Sequence, residues 1–147
     1  MVTDSTKRGP LLKSFEVAFR GIGEAWSRER NFRIQVLYAV VIAGLLLWLR
    51  PDRLEALLLG LALAALLSAE LMNTALERAV DLVTQTHHPL ARSAKDIAAG
   101  AVLVVAIGAA LLSLLVFAPL LPWSSWLPLA AFHGLTLSLR FRWGLGR

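Results

Sequence analysis

The chain has no cysteine. That excludes a disulfide framework, a thiolate metal site and a cysteine nucleophile. Charge is scarce: Asp, Glu, Lys and Arg make up 17% of residues, against about a quarter in an average soluble domain. From Ile97 to Leu139 there is none. No G-x-x-x-x-G-K-[ST] loop and no protein-kinase motif set occurs, so any nucleotide chemistry needs another phosphate cradle. The segment from Met1 to Pro10 lacks the apolar core and small-residue cleavage site of a signal peptide. No internal repeat is visible.

What is present is apolar. Hydrophobic residues make up 57% of the 147 positions, and mean hydropathy is +0.65. One domain is expected at this length, and a soluble domain of this size cannot hide so much apolar surface. Lipid is therefore the expected solvent for most of the chain. Net charge is +5, and its placement is informative. Lys7, Arg8, Lys13, Arg20, Arg28, Arg30 and Arg33 come at or before the start of the first apolar run. Short loops rich in Lys and Arg stay cytoplasmic, which favours a membrane-proximal role for this cluster over a nucleic-acid patch.

The pattern predicts an amphipathic helix over 11–30. Leu11, Phe15, Phe19, Ile22 and Trp26 share one stripe, with Lys13, Arg20, Glu24 and Arg28 opposite. Such a helix suits the membrane interface. Residues 32–49, FRIQVLYAVVIAGLLLWL, are a first span near the lower length limit. Pro51, Asp52 and Arg53 form a turn. Residues 54–76 are a second span, a polar stretch runs from Arg78 to Lys95, and 97–118 are a third span. Small residues at close-packing intervals, Ala62, Ala65 and Ala69 and then Ala94, Ala98 and Ala101, suit helix contact in lipid. Alternation puts the N-terminus and the 78–95 stretch on the cytoplasmic side. Beyond Pro119, Pro122, Trp123 and Trp126, the stretch 126–139 is short for a fourth crossing. His133, Thr136 and Arg140 share a face there, so an interfacial helix is expected. The predicted fold is all-α, with residues 1–118 as a membrane domain and 119–147 as a C-terminal extension.

The chemistry is concentrated in AELMNTALERAVDLV, residues 69–83. With Glu70 as origin on a helical wheel, Asn73 lies about 60° to one side, Thr74 about 40° to the other, and Glu77 and Asp81 within about 20°. Three carboxylates and an amide thus line a stripe that starts inside a span and ends at its cytoplasmic mouth. An ionisable group within a span costs about 2.5–3.5 kcal/mol on insertion scales and marks a functional site by default. Like charges one turn apart repel, so a cation is expected among them. Glu29, on the apolar side of the first helix, supplies a second line of carboxylate, or else a helix-end salt bridge with Arg30 or Arg33. Hard oxygen ligands favour Mg²⁺. Lys95 and Asp96 stand where the third span meets the cytoplasm. They read as interface anchors, or as a cation for phosphate beside a carboxylate for metal or ribose. His87 and His88 make a weak zinc signal.

Glu70 to Glu77 (E-L-M-N-T-A-L-E), Asp81, His88, A-K-D-I-A-A-G-A-V-L (Ala94 to Leu103) and the upstream E-R-N-F-R (Glu29 to Arg33) together resemble the small bacterial diacylglycerol kinase and undecaprenol kinase family, over residues 13 to about 117. The resemblance implies a homotrimer of chains, each with one interfacial helix and three spans, in the bacterial inner membrane. Active sites in such a trimer are shared between neighbours. It implies ATP as phosphoryl donor and a lipid alcohol as acceptor, in phospholipid or undecaprenyl phosphate metabolism. Glu70 matches the general base, with Asn73 beside it. Glu29 and Glu77 match ligands of Mg²⁺ carried with ATP. Thr86, His87, His88, Lys95 and Asp96 match nucleotide-contacting positions. The chain departs from part of the family at Pro10 and Val17, where Arg and Tyr add nucleotide contacts, and at Gln35, where some members carry Glu. The N-F-R and H-P-L-A stretches look more like the undecaprenol kinase branch.

Two other classes compete with a lipid kinase. A small proton- or cation-conducting oligomer would use the same carboxylates, but needs a polar line through the whole span, and here the line ends at Glu70. An inactive structural homologue would not require Glu29, Glu70, Glu77, Lys95 and Asp96 together.

Overall fold

The computed structural model describes residues 10–84 and 86–121. The expectations for the tail at 122–147, including the fourth-crossing question, lie outside the described residues. Four α-helices follow one another: α1 (Pro10–Arg28), α2 (Arg30–Leu49), α3 (Arg53–Val83) and α4 (Pro89–Phe117), closed by a single 3₁₀ turn at Ala118–Leu120. Three of these segments are long and apolar enough to cross a membrane: Arg30–Leu49, Arg53–Val83 and Pro89–Leu120.

α1 and α2 are separated by one residue. Glu29 has extended backbone angles (φ −101°, ψ 112°) and serves as the N-cap of α2. The predicted helix over 11–30 therefore ends earlier, and the carboxylate sits on the joint. α1 is exposed along both faces except at Ala25. Leu11, Phe15, Phe19 and Trp26 are uncovered by the rest of the chain, as an apolar stripe bound for the headgroup region would be.

The polar stretch 78–95 is largely helical, so the helices extend beyond the apolar spans, as the helical stripe over 69–83 requires. α3 continues past 76 to Val83, and α4 already starts at Pro89. The reason is local: residues 77–83 hold no Gly or Pro, and Pro89 takes the first helical position, where a missing N–H costs nothing. The connecting loop shrinks to 84–88.

The opposite turn is tightly specified. Arg50 adopts a left-handed conformation (φ 47°) and its amide bonds to the Leu46 carbonyl at 3.1 Å, while Pro51 blocks further helix. Asp52 then caps α3. Its Oδ1 accepts from the amides of Leu54 and Glu55, both at 3.0 Å, and Glu55 Oε2 accepts the Asp52 amide at 3.1 Å. This is a complete capping box. Asp52→Ala is expected to lower stability by about 0.5–2 kcal/mol. A lower thermal midpoint in detergent, with unaltered turnover well below it, is the measurement that checks this.

α3 and α4 are the most extensively packed pair. Their shielded positions recur at Leu59, Leu63, Leu66, Glu70, Asn73 and Glu77 on α3, and at Ala98, Val102, Val105, Ala109, Leu112 and Val116 on α4. Steps of three and four are the seam of a coiled coil. Ala62, Ala69, Ala94 and Ala98 are partly covered, whereas Ala65 and Ala101 face outward, so only part of the small-residue pattern serves this contact. α2 lies across the pair through Phe32, Gln35, Tyr38 and Ile42. Its far end joins an apolar cluster of Ile42, Leu59, Leu63, Val116 and Phe117.

Candidate active site at the α1–α2 joint and α3

Glu70 is 4% exposed, on a helix that crosses lipid. A buried carboxylate needs a partner, and the partner is Gln35, whose Nε2 donates to Glu70 Oε2 at 2.8 Å. Sequence reasoning registered Gln35 only as a departure. The available signal was a lone amide in the apolar run of α2.

Seven residues along α3, about 10 Å further toward the loop, stands Glu77. Asn73 Nδ2 donates to Glu77 Oε1 at 3.0 Å, so the amide and acid expected on one stripe are joined. Arg78, the residue after Glu77, bonds to Glu29, so the α1–α2 joint is tied to the end of the acidic stripe on α3. Thr74, between Glu70 and Glu77, is buried.

Glu29 does not pair with Arg30 or Arg33 in its own segment. Its Oε1 accepts from Arg78 Nη2 at 3.5 Å, and Arg78 Nη1 donates to Glu24 Oε1 at 2.9 Å. The sequence placed Glu24 only on the polar face of the first helix and Arg78 only at the start of the polar stretch. Their link spans 54 positions, and a helical wheel of either helix alone gives no sign of it.

Lys95 Nζ bonds to Asp81 Oδ1, tying α4 to α3. Asp96 is well exposed and pairs with Arg92 at 3.8 Å, one turn back. The adjacent pair Lys95–Asp96 is thus split between two directions. Thr86, His87 and His88 are exposed in the loop. Thr84 Oγ1 lies 3.2 Å from both the carbonyl oxygen and Oγ1 of Thr86. His88 Nδ1 accepts the Leu90 amide at 3.2 Å, so it caps α4. It also borders an apolar crevice with Leu76, Val80, Val83 and Leu90, on the flank of α3 that the carboxylates leave free.

Among the described residues, no three His, Asp or Glu side chains form a ready-made metal cage. Mg²⁺ does not need one, since it is commonly held by one or two carboxylates with substrate phosphates and waters. The donors fit that pattern. Glu29 and Glu77 offer hard anionic oxygens, and beside Glu77 the buried Asn73 Oδ1 has no hydrogen-bond partner. A buried carbonyl oxygen left unpaired is costly and is a natural ligand for a hard cation.

One turn along α2 from Gln35, the Tyr38 hydroxyl lies 2.7 Å from Ser113 Oγ and 3.2 Å from the Ala109 carbonyl. Tyr38 packs against the apolar cluster of Ile42, Leu59, Leu63, Val116 and Phe117.

Comparison with known proteins identifies the family. The model of the family described as prokaryotic diacylglycerol kinase matches residues 16–117. The chain is 46% identical over 111 residues to an undecaprenol kinase of Bacillus subtilis, covering 74% of this chain and 89% of that protein. It is 43% identical over 100 residues to a diacylglycerol kinase of Synechocystis, covering 67% of this chain and 57% of the longer relative. With a diacylglycerol kinase of Escherichia coli it shares 33% identity over 110 residues, 73% of this chain and 88% of that one. The match spans the α1–α2 joint, the acidic stripe of α3 and all of α4; the chain belongs to the prokaryotic diacylglycerol kinase family, a family of membrane lipid kinases.

Proposed function

We propose that this membrane lipid kinase transfers the γ-phosphate of ATP to the hydroxyl of a polyprenol, with diacylglycerol as the competing acceptor. The observation that carries the reading is the buried Glu70, held by Gln35 inside a lipid-crossing helix, with Glu77 two turns further along the same stripe. The polyprenol is placed first because of the N-F-R and H-P-L-A stretches and the 46% identity to the Bacillus subtilis undecaprenol kinase.

The lipid hydroxyl reaches Glu70 laterally from the bilayer. Glu70 takes its proton as the alcohol oxygen attacks the γ-phosphorus. A new P–O bond forms, the bond to the β-phosphate oxygen breaks, and ADP leaves. Gln35 fixes the orientation of the Glu70 carboxylate by donating to one of its oxygens. Asn73 orients Glu77. Glu29, Glu77 and the free Asn73 Oδ1 would hold Mg²⁺, which when bound neutralises charge on the phosphates. Lys95, released from Asp81, supplies a cation near the nucleotide, and Asp96 with the Thr86–His88 loop borders its base or ribose. Phosphoryl transfer asks mainly for such positioning and electrostatics. Residues 1–118 form the catalytic unit in this reading. It resides in the bacterial cytoplasmic membrane with the site facing the cytoplasm, and the uncovered apolar faces of α2, α3 and α4 join three chains.

The test is purified protein in lipid nanodiscs with Mg-ATP, offered undecaprenol and diacylglycerol side by side. Faster phosphorylation of undecaprenol is expected. Preference for diacylglycerol would reverse the choice of acceptor, and phosphorylation of neither by folded protein would end the kinase reading for this chain.

A further inference from the structure

Arg78 is the residue whose placement asks for more explanation than stability provides. It follows Glu77 directly on α3, yet its guanidinium reaches across to α1 and to the α1–α2 joint, with Nη1 on Glu24 at 2.9 Å and Nη2 on Glu29 at 3.5 Å. Side-chain exposure is 41% for Arg78, 46% for Glu24 and 33% for Glu29. Ion pairs this exposed add little to folding. As a strut, the contact is weak.

As an electrostatic device it is well placed. Glu24 and Glu29 share Arg78, and Glu70, Glu77 and Asp81 line one stripe of α3, five carboxylates in all. A triphosphate entering that field is repelled unless cations meet it. Arg28, Arg78 and Lys95 are cations bonded into the cluster: Arg28 touches Glu24 from one turn along its own helix at 3.8 Å and is well exposed, Lys95 is engaged by Asp81, and Arg78 bridges Glu24 to Glu29. Arg78 grips Glu29 through one edge only and Glu24 through the other. A dication accepted by Glu29 would repel the Nη2 edge while Nη1 kept its seat on Glu24. A guanidinium anchored on one side and freed on the other is suited to phosphate oxygens, which it can meet with two parallel N–H donors.

We infer that Arg78 is a nucleotide-binding residue of this site: it neutralises Glu29 before nucleotide arrives and turns its freed edge to the polyphosphate once the metal takes Glu29. The inference rests on the kinase reading above and names a contact which that reading does not contain.

The experiment compares wild-type protein, Arg78→Gln, Arg78→Lys and Glu24→Gln, each as full chain in detergent micelles checked for folding by gel filtration. MgADP binding is measured by calorimetry without lipid, alongside KM for ATP and for lipid. Arg78→Gln should weaken MgADP binding roughly tenfold or more and raise KM for ATP, with KM for lipid unchanged. Arg78→Lys, which keeps the charge but not the fork, should recover part of the loss. Glu24→Gln, which loosens the seat without removing the cation, should weaken MgADP binding less than Arg78→Gln does. Wild-type affinity in Arg78→Gln, or equal weakening in Arg78→Gln and Glu24→Gln, would reduce Arg78 to a strut and overturn the inference alone. If the unaltered protein binds no MgADP and phosphorylates no lipid, the kinase reading fails and this inference fails with it.

Discussion

Glu70→Gln is expected to slow phosphoryl transfer by about 10²–10⁴-fold, the usual contribution of a positioned general base, while MgADP affinity stays near wild type. The substitution is conservative in shape. Glutamine at 70 can still accept from Gln35 Nε2 through its own carbonyl oxygen, so the contact that holds α2 to α3 at this level survives. What is lost is the group that takes the alcohol proton. Single-turnover rates with pre-bound ATP isolate the chemical step from lipid binding. A folded Glu70→Gln protein with near-normal single-turnover rate would discard Glu70 as the base.

The second large effect concerns the metal. Glu29→Gln and Glu77→Gln should each raise the Mg²⁺ concentration needed for half-maximal activity. Outer-shell partners of a metal are worth about 10–100-fold in affinity, so loss of a ligand should cost at least that. The effect should be visible both in magnesium titrations of turnover and in the magnesium dependence of nucleotide binding. Because both residues would hold one ion, the double variant should cost less than the product of the singles, as expected for neighbours acting as a unit. Full additivity with an unshifted magnesium requirement would separate the two acids and remove the shared site. Glu77 also accepts from Asn73, so Asn73→Ala should reproduce part of the Glu77 effect by freeing that carboxylate to rotate.

Much of this architecture is legible from residue order. The three lipid-crossing segments follow from apolar length, and the acidic stripe follows from spacing along α3. The turn at Pro51–Arg53 is signalled by its own chemistry. The acidic stripe over 69–83 already requires helix beyond the apolar run, and α3 does extend to Val83 with α4 starting at Pro89. What escapes is whatever depends on two segments meeting. Glu29 looks like one more position on a helical wheel, because nothing in E-R-N-F-R announces that the backbone straightens there. Gln35 and Arg78 matter through partners 35 and 49 or more positions away. Lys95 and Asp96 show the converse: adjacency in sequence suggested a joint role, and helical geometry sends one to Asp81 and the other to Arg92.

Glu29 belongs to neither α1 nor α2. A carboxylate within a helix inherits that helix's register; one on a single extended residue takes its place from the angle between two rods. Here one rod is threaded through the bilayer and the other is free along both faces over most of its length. Any tilt of the free rod swings those two oxygens toward or away from the stripe on α3, so the crowding of lipid headgroups beneath it would become a coordinate of the proposed metal site.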